Sequence, residues 1–352
     1  MTFDKFMEQV KEQILDYMPD DYAGAEVTVR EVVKANDLKL HAVQIRRKEE
    51  CTIPSIYLES FYRRYREGLE MDEVLFSLAG QYTKAVENTG DLYRQDFSEF
   101  AVAKDKLCIA VLNKRMNTQY LKDAIYRDVP GTDLVSVVRM QIDAEQSEAG
   151  ILVEKRLLEK WELTEQEVYD LAFKNMVRQF KPSLIPMQEI ILSPFGSVKV
   201  LPIEGDPMET VFKAWERGNV EPMKGMFILT NTVNYNGAAM LLYPGVLERI
   251  GKKARSGFYI LPSSTHEVIL LNEKEADSAE KLQEIVMEIN RKCVSPNEVL
   301  SDEVYHYNYR KRKLEMATEP ERTARIAENM EPLIPSYNDW GDLPEEQEEE
   351  EL

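Results

Sequence analysis

The chain has 352 residues, and its 63 Asp and Glu outnumber 44 Lys and Arg to give a net charge of -19. That balance disfavours a general nucleic-acid coat, because phosphate binding needs a basic face. A hydrophobic content of 43% with 9% aromatic residues supplies a sizeable core and excludes wholesale disorder.

In residues 1–18, Phe3, Phe6, Met7, Val10, Ile14 and Tyr17 recur at spacings of three and four, the stripe of an amphipathic helix. Segments 26–35 and 38–46 alternate apolar and polar residues and meet at Asn36-Asp37, a pair that tolerates positive φ and suits a hairpin turn. Pro54 opens a helix predicted through Glu67 and closed by Gly68. A second helix runs from Met71 to about Val86, with Val74, Leu75, Leu78, Ala79 and Tyr82 inward. Residues 107–112 read as a buried strand, 120–127 as a short helix and 134–142 as a second strand. Thr164 and Glu167 form a capping box, followed by Val168, Leu171, Ala172 and Asn175 at helical spacing.

Between 182 and 222, six of the 16 prolines together with Gly196, Gly205 and Gly218 favour short strands or a connecting arm. Strands are then predicted at 225–231, 257–261 and 266–271, with a helix at 244–253. A long helix follows, its inner face Ala279, Leu282, Ile285, Val286 and Ile289, before a last helix near 301–316.

These elements predict an α+β fold. Residues 1–100 form a helix-hairpin-helix-helix region, 101–318 a mixed sheet flanked by helices with a Pro-rich middle at 181–224, and 319–352 an acidic, disordered tail. Within 336–352, two Asp and six Glu with no Lys or Arg carry eight of the nineteen net negatives, leaving -11 on residues 1–335. A run of like charges repels itself and stays solvated.

The first eight residues interleave charge with apolar side chains and lack the continuous apolar region of a signal peptide. The longest weakly interrupted apolar stretch, 238–247, is broken by Pro244 and Gly245 and is about half of what spans a bilayer. Cys51, Cys108 and Cys293 are scattered and odd in number, which makes no disulfide framework. A cytoplasmic protein with no membrane association is expected.

The three histidines, His41, His266 and His306, have no Cys or His at a spacing of two to five, so no metal and no cofactor is expected. Residues 245–251 place five residues between two glycines where a P-loop has four, and Lys253 stands where it carries Ser or Thr. No G-x-S-x-G elbow occurs, and Cys108 reads as a small core residue. Two loops stand out as ligand candidates. Ser263, Ser264, Thr265 and His266 set three hydroxyls and an imidazole between two apolar strands, able to hold an anion or polar ligand but read first as a hairpin turn whose hydroxyls satisfy the loop. Asn231, Asn234 and Asn236 precede Gly237 and read the same two ways. Residues 305–313 interleave tyrosines with basic residues as single-strand binders do. On a helix, however, Tyr305 and Tyr309 would pack and Tyr307 would be more exposed, so no nucleic-acid partner is expected.

The run Pro54-Ser55-Ile56-Tyr57-Leu58-Glu59 with Tyr62, Tyr65, Gly68 and Met71 resembles an uncharacterised bacterial family, domain-of-unknown-function family 5688. Residues 107–115 with Asn117, Leu121, Asp128 and Val129, and residues 237–243, are also similar to it. The resemblance covers nearly the whole chain apart from the tail. It implies an accessory role on mobile elements of gut-associated Gram-positive bacteria and assigns no catalytic residue. Residues 105–316 more distantly resemble the YtpQ-like family through 163–176 and Leu261-Pro262-Ser263-Ser264, departing from that family's Arg-Asp pair at Ser264-Thr265.

Three functions are compatible with these features: an accessory or binding protein with a protein partner, a hydrolase or transferase built around Ser263 to His266, and an acidic decoy of a DNA-binding protein.

Overall fold

In the computed structural model, residues 1–48, 50, 52–89, 95–142, 150–187 and 225–319 are described. The expectations for Cys51, for the Pro-rich middle beyond residue 187 and for the acidic tail beyond 319 lie outside them. The described chain divides into two units, one of Met1–Val33 with Lys39–Asp96, the other of Lys34–Leu38 with the residues from Phe97 onward.

In the first unit, helix α1 (Phe3–Gln13) is capped by Thr2, whose hydroxyl accepts from the Lys5 amide. Strands β1 (Glu26–Val33) and β2 (Lys39–Arg46) pair antiparallel, and β3 (Ile56–Tyr57) extends the sheet on β2. Helices α2 (Glu59–Arg66) and α3 (Met71–Thr89) follow. The predicted helix start at Pro54 is therefore too early. Ile56 and Tyr57 pair with Val43 and Ala42, so the β2 edge satisfies this backbone before the helix begins. Phe6 and Val10 of α1, Ile14 just after it, Val43 and Ile45 of β2, Phe61 of α2, and Val74, Leu75 and Leu78 of α3 share one core. The buried Tyr82 hydroxyl donates to the Ile45 carbonyl at 2.7 Å and accepts from its amide at 2.9 Å, tying α3 to β2.

The second unit holds two sheets. Strands β4 (Leu107–Asn113), β5 (Tyr126–Asp128) and β7 (Gly150–Leu152) all pair with β6 (Leu134–Gln141). Short helices α4 (Phe100–Ala103) and α5 (Arg156–Trp161) flank this sheet in sequence, and α6 (Glu165–Gln179), opened by the Thr164–Glu167 capping box, packs on β4. The larger sheet runs β13-β12-β10-β11-β9-β8, from β8 (Pro182–Pro186), β9 (Met226–Asn231), β10 (Phe258–Ser264), β11 (Glu267–Asn272), β12 (Tyr305–Asn308) and β13 (Lys313–Met316). Helix α7 (Val246–Ala254) precedes β10, and α8 (Ala279–Cys293) packs on it. The chain is α+β. The strands beyond residue 100 make two sheets in place of one mixed sheet, and every described pairing is antiparallel.

Three further expectations change. Residues 120–127 form a turn and β5 instead of a helix, because the Ile125 amide donates to Val153 and its carbonyl accepts from Val138. Residues 301–316 form the β12–β13 hairpin, not a helix. Tyr305 and Tyr307 face Ile260 and Phe258 in register, and strand alternation buries them to 0% and 4% exposure. Tyr307 is thus a core residue, which removes it as a base-stacking platform. On α8, Ile285 and Ile289 are exposed, while Gln283, Met287 and Asn290 are buried. Gln283 donates to Glu303, and Asn290 donates to the Ser301 carbonyl and to Asp302, so polar bonds set which face turns inward.

A buried polar seam links distant segments of this unit. The Asp133 carboxylate accepts from the Tyr305 hydroxyl at 2.5 Å, the Asn113 amide at 2.6 Å and the Ser301 hydroxyl at 3.2 Å. Asn36, at φ 61°, donates its backbone N–H to Asn117 Oδ1 at 2.6 Å and its side-chain amide to the Pro296 and Val299 carbonyls. Burial, and then the Asp133 charge, hold the Tyr305 phenol well above its ordinary pKa.

Cys108 gives the unit a measurable pH limit. It is buried in β4, and burial pushes its thiol from 9.0 up to about 11. A raised native pKa favours the protonated form in the fold, so this contribution is complete below pH 9.0 and fades as pH rises to about 11. Over that range the unfolding free energy of wild type should fall by about 3 kcal/mol more than that of Cys108→Ala, read from urea titrations at each pH.

Candidate functional site

Two segments picked out by sequence come together in the larger sheet. Asn231 ends β9, and its side chain folds the next five residues into a tight loop. Its Oδ1 accepts from the Val233 amide at 3.1 Å and the Tyr235 amide at 3.4 Å, and its Nδ2 donates to the Tyr235 carbonyl at 2.8 Å. Asn234 and Asn236 take left-handed φ of 54° and 52°, which Asn tolerates better than most residues. Asn234 is exposed and belongs only to the turn, while Asn236 is buried. A 3-10 helix, Gly237–Leu242, leaves the loop and packs against β4 and β9.

Across from it, Ser263 and Ser264 lie in β10, and Thr265 with His266 forms the two-residue turn into β11. The Ser264 hydroxyl accepts from the His266 amide at 3.1 Å, so it caps this turn. The Thr265 amide donates to the Glu298 carbonyl at 2.8 Å, and its carbonyl accepts from the Ala238 amide at 3.2 Å. The His266 carbonyl accepts from the Thr230 hydroxyl at 2.8 Å. Ser263 is partly exposed one residue earlier.

The corner where these loops meet is specific. The Asn236 backbone N–H donates to His266 Nδ1 at 3.1 Å. An imidazole that accepts at Nδ1 carries its proton on Nε2, so hydrogen-bond pairing fixes His266 as the neutral Nε2–H tautomer. That nitrogen faces Glu298 Oε1 at 3.7 Å, longer than a hydrogen bond and within reach through a water or a ligand donor and acceptor. The Tyr235 ring lies 5.1 Å from the His266 ring at 30°. Among the described residues the buried Asn236 side-chain carbonyl has no hydrogen-bond partner, an expensive state for an acceptor.

Tyr235 connects the corner to β6 and β7. A Cβ built on Gly150 would stand 3.1 Å from the Tyr235 hydroxyl and 3.0 Å from Arg139 Nη2, so a larger residue would press on the ends of both side chains. Arg139 donates from Nη2 to the Gly150 carbonyl at 3.2 Å, and its buried Nε has no partner among the described residues.

The corner lacks the geometry of a nucleophile and its base. His266 would have to accept a proton on Nε2 while already bearing one there, and the Ser264 hydroxyl is bonded to a backbone amide. The arrangement offers instead one donor, His266 Nε2–H, and one acceptor, Asn236 Oδ1, beside an aromatic face. Among the described residues, no group of three or more His, Cys, Asp or Glu is placed to hold a metal ion, and no helix is long and apolar enough to cross a membrane.

Of the residues picked out by sequence, Asn231, Asn236, Ser264, Thr265 and His266 come together here; Tyr235, Glu298 and Arg139, which were not picked out, stand beside them. Tyr235 sat inside the asparagine cluster as an apolar residue, and Glu298 gave no local signal. Arg139 did, as the lone charge in the buried strand Leu134–Gln141.

A family model described as Family of unknown function (DUF5688) matches residues 3–309. No curated protein and no solved structure matches the chain. The family match does not bear on the likeness of residues 105–316 to the YtpQ-like family.

Proposed function

The chain belongs to the DUF5688 family, whose description names no activity, and we propose that it is an accessory binding protein rather than an enzyme. The observation that carries this reading is the His266–Asn236 pair. It leaves the imidazole a donor at Nε2 and the Asn236 side-chain carbonyl without a partner among the described residues, while denying His266 the free nitrogen that a general base needs. Such a corner recognises a polar group without transforming it. We further propose that the protein acts in the cytoplasm and engages a protein partner there. The buried Cys108 and exposed Cys293, both free thiols, fit a reducing compartment.

Two measurements test the reading together. The purified protein should turn over none of a broad panel of phosphoester, peptide and nucleotide substrates. Partners crosslinked in the native cell should be recovered with wild type and lost with Asn236→Ala and His266→Ala, both assayed as folded proteins. Turnover of any panel member that His266→Ala abolishes would replace binding by catalysis, and unchanged recovery by both variants would move the binding surface elsewhere.

A further inference from the structure

Four consecutive cations, Arg310, Lys311, Arg312 and Lys313, cross the turn from β12 to β13, and all four are exposed in a chain of net charge -19. The turn lies on α7. A Cβ built on Gly251 would stand 2.9 Å from Tyr309 Cδ2 and 3.2 Å from Tyr307 Cε1, so both rings press on the helix backbone there. Glu248, earlier on α7, pairs with Arg312 at 3.2 Å. Lys252 stands four residues after Glu248 on the same helical stripe and is exposed. Arg255 closes the helix and is exposed as well. The fold thus gathers cations from two separate segments at one end of β10.

Two of these arginines occupy positions that disfavour arginine. Arg255 caps α7 at φ 51°, and Arg312 ends the hairpin turn at φ 51°. Both are left-handed positions, which helix ends and hairpins ordinarily give to Gly or Asn because a longer side chain crowds the backbone there. The ion pair with Glu248 does not explain Arg312, because side chains 69% and 46% exposed gain little from pairing. The turn also has its own brace, since Asn308 Oδ1 accepts from the Lys311 amide at 3.0 Å. A strained backbone that carries a cation, twice on one surface, points to the charge itself as what is used.

This surface offers charge without a stacking face. Tyr307 is buried and the Tyr309 ring lies on Gly251, so neither stands clear to stack a base. A long polyphosphate would also meet the acidity of the rest of the chain. A short run of carboxylates fits, since Arg grips a carboxylate in two parallel bonds and Lys adds a point charge. We propose that the α7–hairpin surface is a docking site for an acidic segment of a partner protein. It does not depend on the His266 corner, which follows β10 where this surface precedes it.

The test titrates the full chain into a labelled oligo-glutamate peptide at low salt and follows binding by fluorescence anisotropy. Wild type should bind, and its affinity should fall at least about ten-fold at physiological salt, because exposed charges are screened. Arg310→Glu with Lys311→Glu should weaken binding at least about ten-fold, since like charges then face the peptide. Lys104→Glu with Lys122→Glu makes the same change of net charge at exposed positions elsewhere in this unit and should bind as wild type does. Arg312→Gly should weaken binding about two- to five-fold, yet unfold no lower than wild type, because Gly accepts the left-handed backbone without strain. Three results would overturn the proposal by giving the surface another role: equal weakening by both double variants, tighter binding of a single-stranded DNA oligomer of the same charge, or binding that appears only when residues 336–352 are deleted, which would make the chain's own acidic run the occupant. So would no binding by wild type, or a loss of stability in Arg312→Gly that Arg312→Lys restores. None of these outcomes touches the partner recovery by Asn236 and His266 variants, so the two ideas fail separately.

Discussion

Asp133→Ala should lower the unfolding free energy by about 3–5 kcal/mol, among the largest effects expected of any single side chain in this fold. Three donors converge on that one carboxylate: the Tyr305 hydroxyl at 2.5 Å, the Asn113 amide at 2.6 Å and the Ser301 hydroxyl at 3.2 Å. Tyr305 and Ser301 are wholly buried, so water does not replace the lost acceptor without opening the seam. Tyr305→Phe is the informative control. It removes one donor and leaves Asp133 two others, so it should cost about 1–2 kcal/mol. Urea midpoints of the two variants check the ordering. Equal losses would show that the Tyr305 bond alone carries the effect of Asp133 and that the Asn113 and Ser301 bonds add nothing.

Gly237→Ala should cost about 3 kcal/mol or more and disrupt the candidate site at the same time. An added Cβ would stand 2.1 Å from the Thr230 hydroxyl, 2.3 Å from the His266 carbonyl and 3.0 Å from the Asn231 amide. Two of those three are backbone atoms of the segments that build the corner, so they do not swing aside as a flexible side chain would. Thr230→Ala removes the hydroxyl contact and its 2.8 Å bond to the His266 carbonyl, but leaves the carbonyl clash. The double variant should therefore recover little of the stability lost by Gly237→Ala, a comparison that denaturant titration decides. Full recovery would show the loop to be plastic and the corner unfit to hold a fixed donor and acceptor.

Where local chemistry decides the backbone, the sequence was legible. The Asn36-Asp37 turn adopts φ of 61° and 53° between two strands paired in full register, as two residues tolerant of the left-handed region allow. The Thr164–Glu167 box forms both of its reciprocal bonds. Where tertiary pairing decides, sequence misled. Tyr305-His306-Tyr307-Asn308 satisfies a helical or an extended reading, and only the edge offered by β10 selects the strand. The α8 stripe held at Ala279, Leu282 and Val286 and failed at Ile285 and Ile289, because Gln283 and Asn290 find buried partners that outrank those two for the inward face.

The site shows the same division. Clusters of Asn and of hydroxyls marked both loops, since such residues make turns. Nothing local could reveal that the Asn236 amide would seal His266 Nδ1, a bond across 30 residues. Nor did spacing reveal Tyr235 as the bridge between His266 and Arg139, because that bridge depends on Gly150 arriving from another sheet.

In the proposed reading the corner binds and does not catalyse because His266 is held as an Nε2–H donor. Nitrogen-15 NMR of the imidazole at neutral pH reads this directly. The two ring nitrogens should show Nε2 protonated and Nδ1 as a bare acceptor, and this pattern should weaken in Gly237→Ala, which displaces the loop that supplies the Asn236 amide. A protonated Nδ1 with a bare Nε2 facing Glu298 would contradict the account and return His266 to the role of a general base.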